Sequence, residues 1–182
     1  MSLHDALARE RFLPLAVFSS TADTPAAVDE MVASGIGVVE IGLRSTVAVD
    51  AISLVAGRAD ILVGAGTVTT LAQVEEVVDA GARFVVTPGF RPEVVERCLE
   101  LGLDVLPGVA TPGEVMGALA LGITTVKLFP AAVLGGVATV DALAGAFPHV
   151  RLVPSGGITA ELRPQYLARP NVLAVSGSWR RA

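Results

Sequence analysis

Residues 121–132 read LGITTVKLFPAA. A glycine stands where a helix would end in the left-handed conformation, a short β-branched apolar run follows, and a proline closes it. The same unit recurs along the chain at strand-plus-helix spacing. It predicts strands near 13–18, 36–43, 61–65, 84–87, 103–106, 124–129, 151–154 and 172–176. Helical patterns are expected between them near 24–34, 46–57, 70–80, 91–101, 112–121, 137–144 and 159–168. Thr24-Pro25, Arg91-Pro92 and Thr111-Pro112 place proline in a first helical turn, where its missing N–H costs little. Gly35, Gly81, Gly102 and Gly122 follow the matching helices. Eight strands alternating with helices indicate a parallel α/β fold, and the even count favours a closed (β/α)8 TIM barrel over an open doubly wound sheet. Residues 1–182 are expected to form one such domain, short at its C-terminus: after the eighth run only GSWRRA remains, which omits most of an eighth helix.

Composition narrows the function classes. The net charge is −5 and no basic block occurs, so the electrostatic footprint of nucleic-acid binding is missing. No apolar run reaches the ~20 residues of a membrane helix. Cys98 has no second cysteine to pair with, and the N-terminal MSLHDALARERF has no long apolar core; both point to a cytoplasmic chain. His4 and His149 lie far apart without ligand spacing, so no metal site is expected.

The quoted stretch also holds Lys127, the chain's one lysine; the other twelve of its 13 basic Lys and Arg residues are arginine. In a barrel, chemistry sits at the C-terminal ends of the strands. Alternation puts Thr125, Lys127 and Phe129 on one face of the sixth run, and Val38, Glu40, Gly42 and Arg44 on one face of the second. A buried ammonium neutralised by Glu40 is one reading. The other is covalent chemistry: an arginine keeps its charge and forms no imine, whereas a desolvated lysine attacks a carbonyl as the free amine. Glu40 would then move protons in the apolar pocket. Arg44 suits a bidentate grip on a substrate carboxylate, or else a salt bridge at the mouth.

Glycine-rich runs close the last two strands, PSGGIT at 154–159 and SGSW at 176–179. Loops at these two places form the usual phosphate site of barrels, where backbone N–H groups meet an anion without a Cβ in the way. Thr67 in VGAGTVTT and Pro88 in VVTPGF end the third and fourth strands and are read as pocket wall or turn.

Taken together, VVEIGLRS, VGAGTV, FVVTPGF, LPGVATPGEVMGALALG, VKLFPA, AFPHVRLVPSGGI and NVLAVSGSW closely resemble the class I 2-keto-3-deoxy-6-phosphogluconate (KDPG) and 4-hydroxy-2-oxoglutarate (KHG) aldolases, from about residue 12 to Trp179. The resemblance implies a homotrimeric (β/α)8 barrel that needs no cofactor or metal. It implies cleavage of the phosphorylated keto acid to pyruvate and glyceraldehyde 3-phosphate through a covalent imine. By the same resemblance Lys127 forms the imine, Glu40 shuttles protons and Arg44 binds the pyruvate carboxylate. Thr67, Pro88 and Phe129 form pocket wall, and Ser155, Gly156, Gly157, Gly177 and Ser178 form the phosphate end. The 6-phosphogalactonate-derived substrate, unphosphorylated KHG, and a non-catalytic barrel that binds a phosphometabolite or serves in an assembly stay open as alternatives. Where the family usually carries GGSW this chain has Ser176, which places a side chain at the expected phosphate end.

Overall fold

A computed structural model describes residues 2–179. It opens with a helix absent from the expected elements, α1 (Leu3–Glu10), held by a reciprocal box in which the Ser2 hydroxyl accepts from the Asp5 N–H and the Asp5 carboxylate accepts from Ser2. The chain then alternates β1 (Phe12–Ala16), a 3-10 turn (Thr21–Asp23), α2 (Thr24–Ala33), β2 (Val38–Gly42), α3 (Ala48–Val55), β3 (Leu62–Gly66), α4 (Leu71–Asp79), β4 (Phe84–Val86) and α5 (Pro92–Glu100). The second half runs β5 (Asp104–Leu106), β6 (Gly108–Val109), α6 (Pro112–Ala120), β7 (Thr125–Leu128), α7 (Val137–Ala146), β8 (Arg151–Pro154), α8 (Arg163–Leu167) and β9 (Val175–Ser178).

Every strand pairing is parallel. Six strands form one sheet in the order β5-β4-β3-β2-β1-β9, and three form another in the order β6-β7-β8. Isolated parallel bridges, Leu152 to Val172 and Ser155 to Ser176, join β8 to the chain at β9. On the other side only Pro107 separates β5 from β6. Proline brings no N–H to the ladder, which explains why the expected strand at 103–106 ends there and Gly108–Val109, outside the expected strands, forms a separate short one.

Two expectations shift at the C-terminal end. The last strand is Val175–Ser178 rather than 172–176, so Gly177 and Ser178 are its final residues and not a loop beyond it. The helix expected over 159–168 contracts to five residues, beginning at Arg163 beside Pro164. The expected shortfall of an eighth helix concerns a tail whose last residues, 180–182, lie outside the described residues.

Alternation sorts the side chains into an outer and an inner set. Val39, Ile41, Val63, Ala65 and Val85 face α2 to α5 in one cluster, and Val126, Leu128, Leu152 and Val175 face the later helices in a second. A third cluster lies inside and gathers Leu13, Val38, Leu62, Phe84, Leu106 and Val153 from six strands onto Leu3, Ala6 and Leu7 of α1. The helix thus seals the interior at its N-terminal end, and full burial of each leucine contributes about 1.5–3 kcal/mol. The opposite end, where the strands finish, holds Arg44, Thr67 and Ser155 together with Phe129 and Pro88.

Candidate active site

Lys127 sits on β7 between Val126 and Leu128, both in the outer cluster, so its side chain points inward. By the same logic Glu40, between Val39 and Ile41 on β2, also points inward. Their side chains meet inside the molecule, with Nζ 3.4 Å from Glu40 Oε1, and the two residues are 3 % and 0 % exposed. Glu40 Oε2 is buried without a protein partner. Room for the carboxylate comes from Gly66 on β3, since a Cβ there would fall 2.5 Å from Glu40 Cγ. An ammonium and a carboxylate in such surroundings are costly unless paired, and each is within reach of the other's proton.

Phe129, directly after β7, places its ring centroid 5.6 Å from Nζ. That ring also packs at Gly156, where a Cβ would come 3.1 Å from two ring carbons. Phe129 therefore connects the lysine to the end of β8. There Gly156 and Gly157 both have positive φ, 93° and 75°, a backbone that only glycine adopts without strain. Buried Ser155 precedes them, its N–H donating to Leu128 and its carbonyl accepting from Ala131. Gly177 and Ser178 finish β9 on the neighbouring strand, and Ser178 is exposed. Ser176 lies within β9, 1 % exposed, opposite Ser155, with its hydroxyl unpartnered.

Arg44 and Thr67 form the second pairing. Arg44 follows β2, and its Nε donates to Thr67 Oγ1 at 3.1 Å just after β3. The Leu43 N–H donates to the Gly66 carbonyl, which ties the two strand ends together. Pro88 lies after β4, half-buried, in the wall of a cavity of about 240 Å³ shared with Val68, Thr87 and Phe90, which Lys127, Glu40, Arg44, Thr67 and Phe129 do not line. Gly108 has no space for a Cβ against the Pro88 backbone, so Gly66 beside Glu40 and Gly108 beside Pro88 are close approaches that the sequence reading passed over. Their signal was present in GAG and PGV, as glycines inside strands where another group comes close. Among the described residues no group of three or more His, Cys, Asp or Glu gathers as a metal site. No helix of the described chain is long and apolar enough to cross a membrane.

Residues 3–181 match the family described as KDPG and KHG aldolase. The chain belongs to this family. Among curated relatives, the 2-dehydro-3-deoxy-phosphogluconate aldolase of Treponema pallidum is 42% identical over 98% of this chain and 86% of its own length. A KDPG aldolase of Legionella pneumophila, solved with pyruvate captured at low pH as a covalent carbinolamine intermediate, is 37% identical with a TM-score of 0.94, over 98% of this chain and 87% of that one. The KDPG aldolase of Zymomonas mobilis ZM4, solved with 3-phosphoglycerate, is 35% identical with a TM-score of 0.92, over 97% and 85% of the two chains.

Proposed function

We propose that this KDPG-family member is a class I lyase that cleaves 2-keto-3-deoxy-6-phosphogluconate to pyruvate and glyceraldehyde 3-phosphate, with KHG as a second substrate. The observation that carries the reading is the buried Lys127–Glu40 pair, 3.4 Å apart on inward faces of β7 and β2. The pyruvate carbinolamine of the Legionella relative supports it.

In this reading the Lys127 amine adds to the C2 ketone, and Glu40 takes and returns the protons that let water leave and an iminium form. When the C4 hydroxyl loses its proton to Glu40, directly or through water, the C3–C4 electron pair flows into the iminium. The aldehyde departs and an enamine remains. Protonation at C3 and hydrolysis then release pyruvate and free the lysine. Arg44 holds the carboxylate, Phe129, Thr67 and Pro88 wall the pyruvate end, and Ser155, Gly156, Gly157, Gly177 and Ser178 receive the phosphate. The 3-phosphoglycerate in the Zymomonas relative agrees with a three-carbon phosphate occupant.

The same reading takes residues 1–182 as one closed (β/α)8 domain. Support comes from the β8–β9 bridges and from β5 and β6 being interrupted by a single proline. Family resemblance adds a cytoplasmic homotrimer that works without a cofactor.

The test is borohydride reduction in the presence of pyruvate, followed by peptide mass spectrometry. With one lysine in the chain, the N-terminal amine is the competing site. A pyruvate adduct on the Lys127 peptide is expected. A folded sample that takes no adduct across a broad pH range refutes the reading.

A further inference from the structure

Ser155, just after β8, and Ser176 of β9 face each other across an isolated parallel bridge. Ser176 follows Val175 of the outer cluster and stands two residues after Ala174 of the inner one, so its side chain points inward. Its hydroxyl is buried without a protein partner. A buried hydroxyl left in that state costs stability unless the working molecule gives it a partner.

Register places this hydroxyl beside the reacting pair. In a barrel of tilted parallel strands, residues of equal height advance by about one position from each strand to the next, and alternate strands supply the side chains of one layer. From Glu40 on β2 the pairings run through Gly64 to Phe84, and two such steps lead to Val86 on β4. From Val86 they run to Leu106 and, with β5 and β6 counted as one strand, two steps lead to Lys127 on β7. From Lys127 they run through Val153 to Ala174, and two steps lead to Ser176 on β9. From Ser176 they run through Leu13 to Val38, and two steps return to Glu40. Glu40, Val86, Lys127 and Ser176 therefore share one inward layer. Within it Ser176 stands between the lysine and the glutamate, on the side opposite Val86.

Lys127 Nζ and Glu40 Oε1 meet at 3.4 Å, while Glu40 Oε2 is buried without a protein partner. The layer thus holds two unpartnered oxygens, a carboxylate oxygen that accepts and a hydroxyl that both donates and accepts. In the aldolase reading the atom that needs such a pair is the oxygen on C2. It leaves as water when the carbinolamine becomes an iminium, and water returns to C2 when the iminium is hydrolysed.

We propose that Ser176 is a positioning residue for this water, holding it against Glu40 Oε2 on the face of C2 that looks toward β9. On the way out the C2–O bond breaks, Glu40 supplies the proton, and the nitrogen electron pair forms C=N. On the way back water attacks C2, Glu40 takes the proton, and the C=N pair returns to nitrogen. Ser176 ends each direction with the proton it began with. This rests on the aldolase and closed-barrel readings and deepens them, because it gives iminium hydrolysis a residue of its own.

The experiment compares Ser176→Ala with the parent during KDPG cleavage in D2O, with lactate dehydrogenase and NADH present to capture pyruvate as it is released. Each enamine takes one solvent deuteron at C3, and an iminium that waits for water exchanges further ones. Mass spectrometry of the product methyl group therefore times hydrolysis against C3 exchange on the same lysine. The alanine variant is expected to raise the ratio of multiply to singly deuterated methyl groups about tenfold, as befits one lost hydrogen bond at the reacting centre. The pyruvate concentration for half-maximal borohydride trapping should stay near that of the parent, because a group that assists both directions leaves the equilibrium where it was. The variant should melt at or above the parent temperature, since an unpartnered hydroxyl leaves the core. A parental deuteration ratio, with or without slower turnover, overturns the role of Ser176 and leaves the aldolase reading intact. So does a variant that melts well below the parent, which would mean that the fold itself uses the hydroxyl. A parent that traps no pyruvate on Lys127 overturns both readings.

Discussion

Gly66 on β3 and Glu40 on β2 cannot both carry side chains: a Cβ on Gly66 would lie 2.5 Å from Glu40 Cγ and nearer still to Oε1. Gly66 has an ordinary strand conformation, so its requirement is for space and not for φ. The expected result for Gly66→Ala is a folded protein destabilised by about 1–3 kcal/mol through overpacking. Cleavage should fall about a hundredfold or more, because the carboxylate proposed to carry protons leaves its place beside Lys127. A thermal melt together with kcat/KM checks both parts, and parental kcat/KM would show that Glu40 tolerates the shift.

Replacing Lys127 by methionine separates chemistry from architecture. Activity and borohydride trapping should vanish. Stability should fall by about 3–5 kcal/mol, because Glu40, 0 % exposed, is left as a buried carboxylate with no cation. Adding Glu40→Gln should recover much of that loss, since the orphaned charge goes with it. Denaturant unfolding of the single and double variants measures this. A methionine variant that is both active and more stable would mean that the pair is only structural.

Cys98 on α5 is fully enclosed in the outer core, and burial pushes its thiol up to about 11. The unfolded thiol titrates near the ordinary cysteine value of 9.0. Between those values the unfolded state has lost its proton while the native state keeps it, so stability falls as pH rises from about 9 toward 11. The expected slope is present in the parent and reduced in Cys98→Ala, a variant less stable at every pH because of the cavity it leaves. Unfolding free energies of the two proteins at stepped alkaline pH provide the comparison. Alkylation of native Cys98 near neutral pH should follow the rate of opening and not that of the reagent.

The chain announced its repeating architecture through punctuation. Proline opens α2, α5 and α6, and glycines of positive φ follow α2, α4, α5 and α6, so those boundaries fall within a residue or two of their expected places. Lys127 and Glu40 were legible because alternation along short apolar runs sends both inward. What escaped has physical causes. The α1 helix carries its own signal in Ser2 and Asp5, with Leu3, Ala6 and Leu7 at helical spacing, but its role as the seal of the interior depends on residues from six other segments. The last strand slipped because Val172 to Val175 is an apolar run, of which Val172 makes only an isolated bridge before the ladder to β1 begins. The Arg44–Thr67 bond and the backbone strain at Thr67 depend on φ and on inter-strand register, neither of which a linear reading supplies.

Gly157 has φ of 75°, and a Cβ there would come 2.6 Å from Cβ of Ala132, so alanine is opposed by both backbone and space. Gly156 next to it packs on Phe129, and a change there would disturb the lysine pocket as well. Gly157→Ala is therefore the cleaner probe of the proposed phosphate end. Its expected effect is a fall of about ten- to a hundredfold in kcat/KM for the phosphorylated substrate, from lost backbone contacts to a dianion. Pyruvate trapping on Lys127 should be nearly unchanged, as should cleavage of KHG, which has no phosphate to bind. Steady-state kinetics on the two substrates, run beside the trapping assay, give the answer. Equal losses on both would mean that the glycine loop shapes the whole pocket, and no loss on either would move the phosphate site away from the end of β8.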